Sequence, residues 1–336
     1  MNPTYFSKAL RVCGAFCFLI AVSLSVQARQ GTVIDGVTYP ANTPEAWLIK
    51  LKEGLRGLNY QLSFVVIHEN ARVKPYLWRH AIIDDTPMEH LSLLNGPGSE
   101  IFRVGDVVSY FEPNSVPFSR TSDYINGPIP VQFFKDPLAL KAGYDLVLVG
   151  RSRVSGRAAQ QVRIVSKDAS RYGITVWLDQ ESGLLLKMDT LDTNGNLIEQ
   201  LQVTEIQVTD EPDSYFEKID QQRLPTVTNL SSVPKVQHAW TLNWLPEGME
   251  IIKQDVHRLA ASQEVVEYVM ISDGLFDISV YISKTKSRPE DGGWLQHESN
   301  TLFSINNGTI EVTVIGKIPA KTANAIATSI GPVNAG

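Results

Sequence analysis

Histidine changes charge near neutral pH, so the six in this chain are the first place to look for acid–base or metal chemistry. His68, His80, His90, His238, His257 and His297 are scattered, with no H-E-x-x-H pair and no second ligand at metal spacing. Each reads as a surface or packing histidine. Asp84 and Asp85 are adjacent carboxylates, but neighbours on a strand face opposite ways. They suit solvation, or capping of a helix that opens at Pro87, better than an acid/base pair. No G-x-S-x-G elbow, Walker loop or dinucleotide G-x-G-x-x-G occurs. The residues therefore nominate no catalytic group, no metal ligand and no cofactor, which weakens an enzyme reading without removing it, since distant residues can converge in a fold.

The other conspicuous chemistry is cationic. The stretch "VGRSRVSGRAAQQVRIVSKDASRYGITVWLD" (149–179) carries Arg151, Arg153, Arg157, Arg163, Lys167 and Arg171. It could serve as a nucleic-acid stripe, an anion clamp or the solvated face of a sheet. The N-terminus separates these. Lys8 and Arg11 precede the apolar run "VCGAFCFLIAVSLSV" (12–26), and Val26-Gln27-Ala28 offers small side chains before Arg29. That is the pattern of a cleavable secretory signal ending at Ala28, and the run is short of the roughly 20 residues of a bilayer span. Both cysteines, Cys13 and Cys17, fall inside it, so the expected exported chain has no thiol for disulfide, metal or nucleophile. Losing residues 1–28 removes two bases and no acid, moving the net charge from −6 to −8. A secreted acidic chain is a poor partner for nucleic acid.

The elements that must position these groups fall into two units. Residues 209–237 are polar, contain three prolines and lack sustained alternation, which marks a connection with a short helix near 215–219. The expected division is a signal at 1–28, a large domain at 29–210, a linker at 211–236 and a small domain at 237–336. In the large domain, Thr43-Pro44-Glu45 opens a helix whose Leu48, Leu51, Leu55 and Leu58 form one stripe. A second helix is predicted at 86–96, opened by Pro87 and ended by Asn95-Gly96, and a third near 131–143. Strands are predicted near 60–67, 74–82, 100–104, 107–112, 145–154, 158–166, 172–178, 184–191 and 197–208, separated by turn dipeptides. Too few helices intervene for parallel crossovers, so an antiparallel sheet curled around its helices is expected. In the small domain the pattern predicts strands in 237–252, 264–272, 275–283 and 309–319, then a helix at 320–330.

Two groups of residues could bind something. Phe64, Trp78, Tyr110, Phe111, Phe133, Phe134, Tyr144, Trp177 and Met188 would make an ordinary core, or as a group line an apolar cavity for an acyl chain, worth up to about 0.8 kcal/mol per methylene. Arg151, Arg153 and Arg157 surround the turn Ser155-Gly156 and, besides solvating a sheet face, could meet an anionic partner through guanidinium forks.

Several stretches together resemble the MucB/RseB family. They are "GLNYQLSFVV" (57–66), "WRHAIID" (78–84), "VVSYFEPNSVPF" (107–118), "YDLVLVGRSRVSGR" (144–157), "RYGITVWLDQESGLLLKMDTLD" (171–192) and "SDGLFDISVYI" (272–282). The resemblance spans nearly the whole exported chain. It implies an α+β protein: a LolA/LolB-like curved antiparallel half-barrel with a helical lid, linked to a smaller α+β domain. It further implies a periplasmic negative regulator that binds the periplasmic part of a MucA/RseA-like anti-sigma factor. Bound there, such a protein protects the anti-sigma factor from regulated proteolysis and keeps a sigma-E/AlgU-type sigma factor silent. Lipopolysaccharide or lipoprotein acyl chains would be the releasing signal, and a homodimer is allowed. LolB is itself acylated, whereas this chain lacks the required Cys after the signal, which speaks against an anchored acceptor. A soluble lipoprotein or lipid carrier is the competing reading.

Overall fold

The computed structural model describes residues 32–34, 37–68, 73–227, 238–258, 264–285 and 287–333. The expected signal and its cleavage site lie outside the described residues. Strands β1 (Thr32–Ile34) and β2 (Val37–Tyr39) form an antiparallel pair ahead of helix α1 (Pro44–Gly57). As the sequence predicts, Thr43 caps α1: its side-chain oxygen accepts from the Ala46 amide at 3.3 Å, with Pro44 in the first turn. Leu48, Leu51 and Leu55 are fully buried along one face.

Eleven strands follow in one antiparallel sheet. The first six are β3 (Asn59–His68), β4 (Lys74–Ile83), β5 (Thr86–Leu93), β6 (Glu100–Val104), β7 (Val107–Phe111) and β8 (Phe118–Thr121). The other five are β9 (Tyr144–Val154), β10 (Arg157–Ser166), β11 (Gly173–Asp179), β12 (Leu185–Leu191) and β13 (Leu197–Thr209). The order β8-β7-β6-β5-β4-β3-β13-β12-β11-β10-β9 is two meanders joined where β13 pairs with β3. Alternation decides the faces: Tyr60, Leu62, Phe64 and Val66 on β3 point into the core. Helix α1 touches β4 in one meander and β9 and β10 at the far end of the other. Strands so distant in sheet order can share one helix only if the sheet curls around it, which gives the expected half-barrel.

Two predicted helices are corrected. Residues 86–93 form strand β5, because Asp84 and Asp85, with φ of 49° and 59°, make a two-residue hairpin turn that pairs Ile83 with Thr86. Pro87 is tolerated next to that turn, opposite Ile82. The two carboxylates thus form a hairpin turn rather than cap a helix. Near 131–143 there are only two single-turn 3-10 helices, Val131–Phe133 and Ala139–Ala142, with Pro137 between them. Their Phe133, Phe134 and Leu140 still plug the concave side beside α1.

The small unit contains β14 (Trp240–Leu242), β15 (Glu250–Arg258), β16 (Val265–Ser272), β17 (Asp277–Lys284), β18 (Glu290–His297), β19 (Asn300–Asn306) and β20 (Ile310–Gly316). Helix α2 (Ala320–Thr328) and β21 (Ile330–Pro332) close it. Its six-stranded sheet runs β15-β16-β17-β20-β19-β18, with α2 on β19 and β20. Strands β18 and β19 are additional to those predicted. Every residue of β18 is exposed, so "EDGGWLQH" carries no burial period to read. The connection is less free than its composition suggests. Phe216 packs on Ala81 and Met88, and Tyr215 stacks on His90 at 4.6 Å, pinning it to the outer face of the large sheet.

Candidate ligand and partner site at the domain junction

The concave side of the large sheet is apolar and mostly filled. Phe64, Trp78, Tyr110, Phe133, Phe134, Tyr144 and Met188 are buried in one core cluster. Trp78 stacks on Phe134 at 5.5 Å and donates its indole N–H to Glu89 Oε2 at 2.9 Å. Arg103 holds the other Glu89 oxygen, so this buried carboxylate is paired on both sides. The remaining two candidates face away. Phe111 meets Phe102 edge-on at 5.7 Å on the outer face, and Trp177 lies under the Lys187 ammonium at 4.3 Å. Tyr110 and Val176 take the inward positions, so strand alternation forces their neighbours outward. The nine residues therefore do not line one cavity.

A cavity does lie at the junction of the two units. It has a volume of about 420 Å³ and an apolar wall of Val66, Tyr76, Leu91, Leu93 and Ile101 from β3 to β6. His68, Lys74 and Glu199 from the large sheet and Glu298, Ser299, Asn300 and Lys317 from the small unit make its polar side. A neighbouring space of about 230 Å³ shares Asn126, Gly127, Pro128, Glu199, Asn300 and Lys317 and reaches Met188, the one sequence candidate that lines either. Gly127 sits so close that a Cβ there would lie 2.8 Å from Leu91 Cδ2, which explains why its loop can roof both.

Charged groups cross this junction. Lys317 Nζ donates to Glu199 Oε2 at 2.5 Å, Ser299 donates to the same oxygen at 2.8 Å, and His68 Nδ1 lies 3.1 Å away. Lys74 Nζ reaches Glu298 Oε1 at 3.1 Å. Burial would raise the Glu199 carboxyl, but His68, Lys317 and Ser299 outweigh it and hold its pKa down to about 2. Burial would likewise raise Glu298, and Lys74 and His68 bring it below its usual value.

A second contact closes the other side of the junction. Asp273, in the turn between β16 and β17, accepts from Arg171 Nη1 at 3.2 Å and from the Tyr144 hydroxyl at 2.6 Å. Arg171 also lies over the Tyr144 ring, 4.6 Å from its centroid. Burial, then Asp273, pushes the Tyr144 phenol well up, so it remains a donor. Arg171 is 1% exposed and Asp273's side chain 4%, so the pair is out of water. Of the six bases in the 149–179 stretch, Arg171 is therefore an interdomain anchor rather than surface decoration.

The three arginines named as anionic contacts separate. Arg157 is already engaged: it grips Asp179 with two hydrogen bonds, at 2.9 and 3.0 Å, and Glu181 with a third at 2.9 Å. Arg153 donates to its own turn at Gly156 O, and Arg151 is exposed on the edge strand β9. Glu199, Lys317 and Asp273 are site residues that sequence reasoning missed, and His68, read there as a surface or packing histidine, joins them.

The MucB/RseB N-terminal domain matches residues 43–228 and the MucB/RseB C-terminal domain matches residues 234–331. The Sigma-E factor regulatory protein RseB of Escherichia coli (strain K12) is 32% identical over 286 residues, 85% of this chain and 89% of that one. The chain belongs to the MucB/RseB family. Solved MucB/RseB structures align across both units. The Pseudomonas aeruginosa MucA/MucB complex gives a TM-score of 0.71 at 28% identity, covering 87% of this chain and 99% of that chain. MucB in complex with MucA(peri) gives 0.68 at 28% identity, over 86% and 98%. A further crystal structure of MucB gives 0.55 at 28% identity, over 85% and 97%.

Proposed function

We propose that this protein is a periplasmic regulator that binds the periplasmic part of a membrane anti-sigma factor and so keeps an envelope-stress sigma factor inactive. The observation that carries the reading is the match over both units to MucB solved together with MucA. The kinship to a Sigma-E factor regulatory protein supports the same class of action. Bound to its partner, the protein shields it from regulated proteolysis. No step of this requires chemistry from the regulator itself; it is a binding protein.

Release is a population shift between two arrangements of the two units. A lipid, lipopolysaccharide or a lipoprotein acyl chain, enters the junction cavity along the apolar wall of Val66, Tyr76, Leu91 and Ile101. Its anionic head meets Lys74 and Lys317. Reversing a 99:1 preference to 1:99 needs about 5.5 kcal/mol of differential affinity. At about 0.8 kcal/mol per methylene that is about seven buried methylenes.

The test is a calorimetric titration of the protein with the periplasmic part of a MucA/RseA-type anti-sigma factor, with and without a lipopolysaccharide fragment. Tight binding that the fragment weakens supports both parts. Binding indifferent to lipid leaves the regulator and removes the lipid switch. No binding removes the regulator.

A further inference from the structure

We propose that the open edge of strand β9 is a docking strand for an acidic, extended segment of the protein partner. The proposal rests on the partner-binding reading above and names where and how one part of that partner is held. The large sheet has two edges, treated differently by the fold. The β8 edge is covered: Ser119 bridges Val227 and donates its hydroxyl to Pro225 O at 2.6 Å. The β9 edge is not. Over its eleven residues it pairs only with β10, and among the described residues no further backbone group meets its outer side.

What this edge presents is specific. Residues 145, 147, 149, 151 and 153 are all exposed, with Val147 at 42% and Val149 at 50%. Arg151 and Arg163, the latter opposite Val147 on β10, have no ion pair or side-chain hydrogen bond among the described residues. Arg153 spends one nitrogen on Gly156 O. The result is an apolar pair flanked by available guanidinium groups on a chain whose net charge is −6.

The ordinary reading of charge on an edge strand is protection against self-pairing, and the register break at Gln161/Val162 serves that end too. The sign of the charge selects the occupant. A second copy would crowd Arg151, Arg153 and Arg163 of both chains along one edge, with only Asp145 of each strand to set against them. An acidic strand is attracted by the same groups. The register break leaves two short ladders, 144–148 and 150–154. Main-chain hydrogen bonds to either would give affinity; because the break shifts the alternation by one, Val147 beside Arg163 on one face and Arg151 beside Gln160 on the other would each read a different side chain of the segment. The matching segment carries apolar residues beside Asp or Glu at alternate positions.

The experiment uses the full chain and the purified periplasmic part of a MucA/RseA-type anti-sigma factor. Hydrogen exchange at residues 145–153 is followed with and without the partner, and the partner is titrated into the wild type, R151E/R163E and R151K/R163K. Both positions are exposed, so both variants should melt with the wild type. We expect slowed exchange in the complex, binding weakened about tenfold or more by the Glu pair at low salt, and near-normal binding by the Lys pair. Tight binding with unchanged exchange at β9 and no charge effect overturns the docking strand while leaving the regulator intact. Protection that rises with concentration in the absence of partner assigns the edge to a second copy and overturns it as well. No binding by any variant removes the partner reading on which the proposal stands.

Discussion

Replacing Asp273 with alanine tests whether the two units are held in register by the buried contact between them. Asp273 is the sole carboxylate within ion-pair distance of Arg171 apart from Asp168 at 3.8 Å, among the described residues. With Asp273 gone, the guanidinium keeps Gly143 O at 3.2 Å but remains fully enclosed. Breaking a buried pair from one side costs about 3–5 kcal/mol, because the remaining charge is left without compensation. The Tyr144 hydroxyl and the amides of Leu275 and Phe276 also lose their acceptor, while Asp168 and the Tyr144 ring keep part of the compensation, which places the expected loss near the lower end. Asp273→Asn keeps most of the shape and removes the charge, so it should lose less. Urea denaturation followed by tryptophan fluorescence reads the effect: Trp78 and Trp177 report the large unit, Trp240 and Trp244 the small one. D273A should lower stability by about 3 kcal/mol or more and split a single transition into two, as units that no longer hold one another unfold separately. A loss below about 1 kcal/mol with one transition would refute the anchor, since that is the size of an exposed pair.

Further outcomes follow from the same geometry. Burial and then Arg79 lower His90 to a pKa of about 4, while unfolded histidine sits near 6.5. The unfolded chain thus binds the proton first, and stability present above pH about 6.5 should fall as pH drops toward 4, by on the order of 3 kcal/mol in urea melts; His90→Phe should flatten that slope. Glu199 adds a second, more acidic loss, between the ordinary carboxylate range and pH about 2, because its folded pKa is depressed. Glu199→Gln should remove that limb of the pH–stability curve. Gly183 has φ +80°, and a Cβ there would lie 2.7 Å from the Lys50 carbonyl oxygen, so Gly183→Ala should destabilise by at least about 1 kcal/mol in thermal melts. Leu93→Trp should fill part of the 420 Å³ cavity and reduce uptake of a fluorescent fatty acid; unchanged uptake would move the lipid site elsewhere.

The sheet and α1 were legible because burial writes a period into the chain. The alternation through Tyr60, Leu62, Phe64 and Val66, and the leucine stripe of α1, each have one dry face. The segment at 86–93 misled because Pro87 suits a helix start as well as a place beside a hairpin turn, and Met88 to Ser92 are buried on both faces. One face packs on the core, and the other is covered by Tyr215 and Phe216 from the connection. Strand β18 failed in the opposite sense, being wet on both faces. The junction was invisible for a different reason. Glu199 and Lys317 are 118 residues apart, and Arg171 and Asp273 are 102 apart. Ion pairs between units impose no local period, so Arg171 looks in sequence like Arg151, and only burial distinguishes an anchor from an exposed arginine.

That distinction bears on how a junction cavity could act as a switch. The two contacts stand on different sides of it, Arg171–Asp273 in a dry environment and Glu199–Lys317 on the rim of the cavity, with Lys317 a third exposed. The dry pair is costly to break and indifferent to salt, whereas the rim pair is partly solvated and screened. A ligand that enters from the rim with an anionic group competes with Glu199 and Glu298 for Lys317 and Lys74 before it reaches the buried pair. The junction should therefore open as a hinge, loosening at Glu199 and pivoting at Asp273, rather than separating along its whole length. On the proposed switch, changed charge at the rim should alter how readily the junction opens, and loss of the buried anchor should alter the axis about which it does so.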